Sequence, residues 1–419
     1  MASLEKKIIT AILGKIRARR DDSPNGSLDQ YPRPTGAVAP ARLREATFSD
    51  FQAVHNLKRR WGLIPDSFEN WQRLWRDNPA LKHFEQSLPI GWVLEAGGRV
   101  VGYLGNVAST YRFGGRTLTA VTGHALVVEP DHRALSFTLN GAFYRQKTVD
   151  LQLSTTSIEV VGKIARIFKS DPLPQPDYEV LFWVIKSQPF ARGVMEKLQL
   201  RPALSSFVGV LASLAVGTDK IVRRRWPRKH SSSLEVKEIS VAQIGPDFQA
   251  FWTEKLNESA QLLADRSPAA LRWHFETPGD RGTTRVLCGY SSGALLGYAV
   301  VRSDPTDTPG LRRSIIADMI ARKDNPEVLA ALCVAAYDQA KQAGSHILEV
   351  LGFPQTVRSV CSRWNPYLRK YPACPFYYKA VDPLLHKQLA DASAWYASPF
   401  DGDTTLMPLL GNMLGSIGE

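Results

Sequence analysis

Apolar and polar residues follow the same order in two parts of the chain, and this pattern predicts two αβ units. In residues 92–128, alternating segments surround the glycine pairs Gly97-Gly98 and Gly114-Gly115, which indicates a hairpin followed by another strand. The spacing then predicts a helix, a strand, a helix, a proline-rich connector and a strand, at 135–147, 150–155, 157–168, 171–176 and 178–185.

The second half repeats this order at a nearly constant offset. Ser291-Ser292-Gly293 separates two alternating segments, Asn325-Pro326 begins a helix, and Gly344 ends that helix. Gly98 and Gly293 are 195 residues apart, as are Leu153 and Leu348. The repeat predicts a duplicated α/β fold, in which each unit is a mixed central sheet with helices on both faces.

Six segments are expected from these patterns. They are an amphipathic basic helix, a flexible linker, a first αβ unit, an apolar segment with a basic linker, a second αβ unit and a tail, at 1–20, 21–41, 42–200, 201–233, 234–408 and 409–419.

The net charge of +12 is concentrated in two places. Residues 1–20 and residues 217–230 each carry six bases and one acid, so the remainder of the chain is nearly neutral. Each basic cluster adjoins an apolar segment, and no nucleic-acid-binding motif is present. This arrangement favours an anionic membrane surface over nucleic acid as a partner.

Composition excludes several classes of protein. The chain has 10 Trp, 13 Tyr and 17 Phe, and 44% of its residues are hydrophobic. This composition excludes disorder throughout the chain. No run of about 20 apolar residues occurs, so a polytopic membrane protein is excluded. The uncharged run 203–216 is open to two interpretations, a core helix followed by a solvated basic linker or an interfacial segment.

No metal site is predicted. The four cysteines, Cys288, Cys333, Cys361 and Cys374, form no C-x-x-C pair, which is typical of buried thiols in a reducing cytoplasm. Asp401-Gly-Asp403 resembles a metal-binding D-x-D, but without further ligands we interpret it as a polar turn.

The stretch 127–133 (VVEPDHR) resembles the acyl-CoA-binding strand and loop of the GCN5-related N-acetyltransferase (GNAT) superfamily. In that superfamily a Val-x-Pro-x-x-Arg run leads to a Gly-x-Gly/Ala loop, whose amides hold the CoA pyrophosphate. Here Val128, Pro130 and Arg133 match, while Ser136 and Thr138 occupy the glycine positions. The resemblance implies acetyl-CoA or a longer acyl-CoA as co-substrate, bound by Val127, Val128, Arg133, Ala134, Leu135, Ser136, Phe137 and Thr138.

The second unit has no glycine loop at the equivalent position. Two such units, one without the loop, resemble tandem GNAT acyltransferases of exopolysaccharide and cell-envelope assembly. They resemble more distantly the transferases that use aminoacyl-tRNA.

Acyl transfer to an amine needs a base for the amine proton and an acid for the departing thiolate. His124 is the only ionisable residue of strand 117–128 and is our candidate base, with Glu129 after it. The alternatives are that His124 has all its hydrogen bonds satisfied on the sheet face and that Glu129 is solvated. The tyrosine that GNAT enzymes usually carry on the helix after the fifth strand is absent from helix 157–168.

Candidate substrate-binding residues lie in both units. The fifth strand ends in Thr155, Thr156 and Ser157, at the place where the two parallel strands would diverge. Such a run also commonly caps a helix. In the second unit the candidates are Asp318 and His274. The alternative for His274 is that it is a core residue.

We therefore predict an N-acyltransferase that moves an acyl group from acyl-CoA to a small-molecule or glycan amine, such as an amino sugar of an envelope precursor. We expect it to be cytoplasmic and peripheral at the inner face of the cytoplasmic membrane. Two alternatives remain, a tandem-GNAT transferase that uses aminoacyl-tRNA and a non-catalytic GNAT-like scaffold.

Overall fold

The computed structural model describes residues 39–406, with gaps at 158, 176–178, 198–201, 229–233, 259, 279–282, 307, 309 and 371–375. The predicted helix 1–20, nearly all of the predicted linker 21–41 and the tail 409–419 lie outside the described residues. Within them, two mixed sheets are flanked by helices, so the predicted fold class is confirmed.

The first sheet contains eight strands. They are β1 (Arg42–Glu45), β2 (Gly91–Ala96), β3 (Arg99–Phe113), β4 (Arg116–Val128), β5 (Leu151–Ser154), β6 (Asp171–Pro172), β9 (Leu263–Ala264) and β15 (Tyr377–Ala380). Their order is β1-β2-β3-β4-β5-β15-β6, and β9 pairs with β3 outside that path. Gly97 and Gly98 both have positive φ, of 56° and 73°, which a two-residue turn between β2 and β3 requires.

The second sheet contains seven strands. They are β7 (Glu179–Val184), β8 (Glu235–Ile239), β10 (Thr284–Ser291), β11 (Ala294–Ser303), β12 (Arg313–Ala321), β13 (Ile347–Leu351) and β14 (Tyr367–Lys370). Their order is β14-β7-β13-β12-β11-β10-β8. As in the first sheet, an antiparallel hairpin leads to a strand that pairs in parallel with the next one.

The two halves of the chain exchange one strand each. β7 belongs by sequence to the predicted unit 42–200, but it pairs with β13 and β14 of the second sheet. β15 belongs to the predicted unit 234–408, but it pairs with β5 and β6 of the first sheet. The reason is that β5 and β13 each need an antiparallel partner along the outer edge, and each finds it in the other half. The sheets therefore do not follow the boundaries expected from the sequence.

Eleven α-helices are present among the described residues. They are α1 (Phe51–Arg60), α2 (Phe68–Trp75), α3 (Ser136–Tyr144), α4 (Glu159–Ile167), α5 (Ser187–Lys197), α6 (Pro202–Val222), α7 (Pro246–Glu258), α8 (Pro268–Phe275), α9 (Pro326–Gln342), α10 (Gln355–Ser362) and α11 (Pro383–Gln388). α9 begins as predicted, because the Asn325 side chain accepts hydrogen bonds from the backbone N–H groups of Glu327 and Val328. No described helix is both long and apolar enough to cross a membrane.

The faces of the first sheet are covered by different helices. Val121 and Leu104 pack with Leu139 and Phe143 on the face that α3 covers. The other face packs against α1 and α2, where one cluster joins Val54, Leu57, Trp71, Leu74, Trp75, Tyr103, Val107, Val127 and Leu406. His124 pairs with Gly105 and lies two residues beyond Thr122, the partner of Val107, so its side chain belongs to this second face.

A buried ion pair anchors the end of the described chain to the second sheet. Arg266 and Asp318 are fully buried, with Nε of Arg266 2.9 Å from Oδ2 of Asp318. The Asp318 carboxylate also accepts hydrogen bonds from Tyr298 and Ser398, both at 2.8 Å. Arg266 lies 3.5 Å from Asp401 as well. Residues 398–401 are therefore held at β12 by charge inside the protein.

One glycine lets the following residues approach the first sheet. Gly402 has φ +80°, and a Cβ atom placed there would lie 2.2 Å from Cγ2 of Thr155. Gly310 has a similar φ of +75° but nothing within 4 Å of the corresponding position. The two positions share the backbone conformation and differ in the space around them.

We expect Gly310→Ala to lower the free energy of unfolding by about 1 kcal/mol, the cost of a left-handed alanine. Gly402→Ala should cost about 1–3 kcal/mol more, because the methyl group collides with Thr155. Urea denaturation of the two variants measures the difference. Equal losses would mean that the segment does not lie against Thr155 in solution.

Candidate functional site

The first sheet opens where β4 and β5 separate. The parallel pairing joins Ala120–Thr122 to Leu151–Leu153, after which β4 continues to Val128 while β5 ends at Ser154. A register shift between β3 and β4 lies in the same region, and Ala125 has φ +55°. Such bulges often occur beside functional sites because they redirect side chains. His124 immediately precedes this bulge.

His124 is buried between two carboxylates. Its Nδ1 lies 3.1 Å from Oδ2 of Asp403, and its Nε2 lies 3.9 Å from Oδ2 of Asp66. Asp66 also binds Nζ of Lys58 at 2.6 Å, and these two side chains are nearly inaccessible to solvent. His124 is therefore the centre of a buried charge cluster that α1, the loop before α2, β4 and the end of the described chain build together.

Asp403 connects β4 to the end of β5. Its Oδ1 accepts hydrogen bonds from the hydroxyl groups of Thr155, at 2.6 Å, and Thr156, at 3.2 Å. The Asp403 N–H donates to Thr155 Oγ1 at 3.0 Å. Asp403 thus spans the opening between the diverging strands and contacts three of the residues that the sequence predicts for the site.

The carboxylates favour the charged form of His124. Burial lowers the pKa of His124, but hydrogen bonding to Asp403 and Asp66 outweighs it and raises the pKa above its ordinary value of 6.5. Burial also opposes ionisation of Asp66, yet His124 and Lys58 hold the pKa of that carboxyl well below its usual range. The two carboxylates therefore stabilise the protonated form of this buried imidazole.

A tyrosine hydroxyl lies near His124. Tyr103 is fully buried, its ring lies under the Lys58 amine at 5.4 Å, and burial raises its pKa well above 10. A Cβ atom on Gly105 would lie 2.6 Å from the Tyr103 hydroxyl and 3.3 Å from Cβ of His124. Both groups therefore lie against the same glycine. Tyr103 supplies a phenol to this site from β3, whereas the resemblance led us to seek one on α4.

A cavity that is partly open to solvent adjoins this cluster on the same face. Its walls come from β3, β4, α8 and the end of the described chain, and include Thr122, Asp265, Trp273, His274, Phe400 and Gly402. The Thr122 hydroxyl is buried and has no hydrogen-bond partner among the described residues. Asp265 is a lining carboxylate, and the lining contains neither lysine nor arginine. This chemistry suits a neutral or cationic ligand.

The predicted acyl-CoA loop lies at the start of α3. A 3-10 helix, Pro130–Leu135, precedes α3, and the Ser136 N–H donates to the Arg133 carbonyl. Of the predicted residues, the structure buries Val127, half-buries Val128, Leu135 and Ser136, and exposes Arg133, Ala134, Phe137 and Thr138. The Phe137 ring packs on Phe168 at 4.9 Å. Part of the first turn that would receive a pyrophosphate is thus already hydrogen-bonded within the chain.

Glu129 lies away from the His124 cluster. Its carboxylate pairs with Arg60 at 2.8 Å and with Arg99 at 3.1 Å. Ser157 bonds the Ser154 hydroxyl at 2.6 Å, whereas its neighbours Thr155 and Thr156 bond Asp403. The predicted site residues of β4 and β5 therefore divide into a group that converges on Asp403 and a group that has other partners.

The two candidates from the second half are both buried. Asp318 is held by Arg266, Tyr298 and Ser398, as described above. His274 lines the cavity, and its Nε2 lies 2.6 Å from the Thr405 hydroxyl. Burial and the charges of Arg73, Arg302 and Arg266 lower the pKa of His274 well below 6.5, so this histidine is neutral.

No protein-family profile matches the chain, and no curated protein matches it. Solved structures do match. A GCN5-related N-acetyltransferase from Anabaena variabilis has a TM-score of 0.52 and 11% identity, over 82% of this chain and 73% of that one. The chain has the GNAT fold. A conserved protein of unknown function from Enterococcus faecalis, described as a probable N-acyltransferase, gives the same TM-score and coverage at 12% identity.

Sequence reasoning missed four members of the His124 cluster. Asp403 was visible in the Asp401-Gly-Asp403 motif, but the structure buries both carboxylates instead of leaving them in a solvated turn. Lys58 follows Val54 by one helical turn on the buried side of α1, which is a detectable signal. Asp66 and Tyr103 have no comparable signal, because only tertiary contacts bring them to His124.

The raised pKa of His124 predicts a pH dependence of stability. The protonated form is stabilised in the folded state, so its contribution is complete below about pH 6.5 and is lost as the pH rises through the folded-state pKa. The difference in unfolding free energy between the wild type and His124→Gln should therefore shrink from pH 6 towards about pH 9. Urea denaturation across this range measures it.

NMR titration of the His124 ring measures its pKa directly. Asp403→Asn removes one carboxylate and should lower the ring pKa, while Asp77→Asn, at an exposed position, should leave it unchanged. A His124 pKa below 6.5 in the wild type would contradict this account of the cluster.

Proposed function

We propose that this protein transfers an acyl group from acyl-CoA to a primary amine. The observation that carries the proposal is the buried His124 cluster, which lies where β4 and β5 diverge and beside the cavity. The GNAT fold supports the same reaction class. The co-substrate would be acetyl-CoA or a longer acyl-CoA, and no metal ion takes part.

The opening between β4 and β5 suits a reaction between two ligands. The predicted loop and α3 lie on one face of the sheet, and the cavity lies on the other. An acyl thioester that enters along α3 would therefore meet an amine held in the cavity. Bringing the carbonyl and the nitrogen together supplies much of the rate enhancement in such transfers.

His124 can donate and recover the proton that acyl transfer requires. An acceptor that binds as an ammonium ion first loses one proton to solvent. The neutral amine nitrogen attacks the thioester carbonyl carbon, and the C–S bond breaks with its electron pair remaining on sulfur. The His124 imidazolium donates its proton to the thiolate, and the resulting imidazole takes the proton that the acylated nitrogen releases. Asp403 and Asp66 stabilise the charged form of the ring between these steps. The tyrosine expected on the helix after β5 is therefore not required, although Tyr103 offers a second donor.

The cavity favours an uncharged or cationic acceptor. Asp265 can pair with an ammonium group, while Trp273 and Phe400 offer flat apolar surfaces. A lining without lysine or arginine does not favour a phosphorylated ligand. These features support an amino sugar more than aminoacyl-tRNA, whose phosphates need basic contacts.

The finer assignment that we propose is a tandem GNAT acyltransferase of the exopolysaccharide or cell-envelope type. It is supported by the matching order of strands in the two sheets and by the cavity beside the histidine cluster of the first. The acceptor would be an amino sugar of an envelope precursor.

Isothermal calorimetry with acetyl-CoA and with longer acyl-CoAs tests the co-substrate. We expect at least one of them to bind. Addition of an amino sugar should then release free CoA. Binding of aminoacyl-tRNA in the absence of acyl-CoA binding would establish the tRNA-dependent alternative. Binding of acyl-CoA without turnover of any amine would indicate a scaffold.

Variants of the His124 cluster test its part in turnover. His124→Ala and Asp403→Asn should lower kcat about 100-fold or more, because each removes or disturbs the proton donor. The KM for acyl-CoA should change little, since neither residue lies on the predicted loop. His83→Ala, at an exposed position, is the control. Steady-state kinetics with near-normal kcat in His124→Ala would exclude His124 from the reaction.

A further inference from the structure

Helix α6 presents an apolar stripe to solvent. The exposed fractions of Val210, Leu211, Leu214, Ile221 and Val222 range from 43% to 73%. Their spacing places all five on one side of the helix, together with the small polar residue Thr218. Five large aliphatic side chains on one exposed face are unusual for a helix of a globular domain, where such a stripe normally faces the core.

The opposite side of α6 is fixed to the protein. Ala212 and Ala215 are buried there and form a small cluster with Ala191 and Met195 of α5. At the carboxyl end, Lys220 donates to the Ile185 carbonyl at 3.0 Å, and Asp219 accepts from Tyr367 of β14 at 2.8 Å. The helix is thus held along its inner side, and its apolar stripe cannot turn inwards.

The exposed stripe ends in a basic cluster. Arg223, Arg224, Arg225 and Arg228 lie within six residues, and Asp219 is the nearest acid. Asp219 pairs with Arg223 and Arg225, so it offsets only part of this charge. Arg223 and Arg224 are exposed directly beyond Val222. Trp226, by contrast, packs against the main core, so it does not serve as an interfacial anchor.

We propose that α6 docks the protein on an anionic lipid surface, with the stripe in the headgroup and acyl boundary and the basic cluster against lipid phosphates. Apolar side chains on one side with arginines at the end of the same helix are the combination that binds such a surface. The proposal does not depend on acyl transfer, since it concerns a different part of the molecule.

Two occupants could cover the apolar stripe, the membrane surface and the chain's own amino-terminal segment, and charge favours the membrane. Residues 1–20 have the apolar spacing needed to cover the stripe, but they carry six bases and one acid. Placing them on α6 would bring two basic clusters together, which is unfavourable. An anionic surface attracts both segments at the same time.

Vesicle flotation of the full chain tests this proposal. Vesicles that contain about one third phosphatidylglycerol should carry the protein upwards, and vesicles of phosphatidylcholine alone should not. Leu214→Glu combined with Ile221→Glu should reduce the floated fraction at least about tenfold, because charges replace the apolar contact. Leu384→Glu on α11 is the matched control, since Leu384 is 73% exposed and Ile221 is 68% exposed.

The outcomes separate the possible occupants of the stripe. Loss of flotation in the double variant with retention in Leu384→Glu supports docking through α6, provided circular dichroism shows that both variants are folded. Flotation of the double variant at the wild-type level overturns the proposal. A wild-type protein that does not float, and whose dimer the double variant dissociates in analytical ultracentrifugation, would assign the stripe to a second copy of the chain and also overturn it.

Discussion

Two buried carboxylates, on residues separated by a single glycine, connect the two sheets. Asp401 contacts Arg266, which pairs with Asp318 on β12 of the second sheet, and Asp403 contacts His124 and Thr155 of the first. A charge inside a protein is tolerated only with a partner and hydrogen bonds. Each aspartate therefore fixes the position of the chain on its own sheet, and Gly402 between them allows the close approach. The cavity, the charged state of His124 and the closure of the β4–β5 opening all depend on this segment.

The same segment gives two histidines opposite characters. His124 faces Asp403 and Asp66, which raise its pKa, whereas His274 faces the Thr405 hydroxyl, and burial together with nearby arginines lowers its pKa well below 6.5. Through Asp403 and Thr405, one stretch of chain thus stabilises the charged form of one histidine and hydrogen-bonds a neutral histidine in the wall of the cavity.

Much of the fold was predictable because it is local. The Gly97-Gly98 turn, the Asn325-Pro326 helix start and the alternating strands all follow from spacing and turn chemistry, and they match the structure closely. His124 could be selected because it is the only ionisable residue of its predicted strand, and Thr155 because it ends a predicted strand beside the expected opening. Asp403 could not be placed, since Thr155 and Asp403 are 248 residues apart in the chain. The exchange of β7 and β15 was also invisible, because periodicity identifies a strand but not its partner.

The exchanged strands have a consequence for how the chain reaches its structure. The first sheet lacks β15 until nearly the whole chain has been made, so β5 has an unpaired edge during synthesis. The second sheet, in turn, needs β7 from the earlier half, which must wait for β13. Such distant pairing slows folding, because long loops close before the pairing is gained. We therefore expect the two sheets to fold together, and a chain divided between residues 200 and 234 to give two halves that each lack one strand of a sheet.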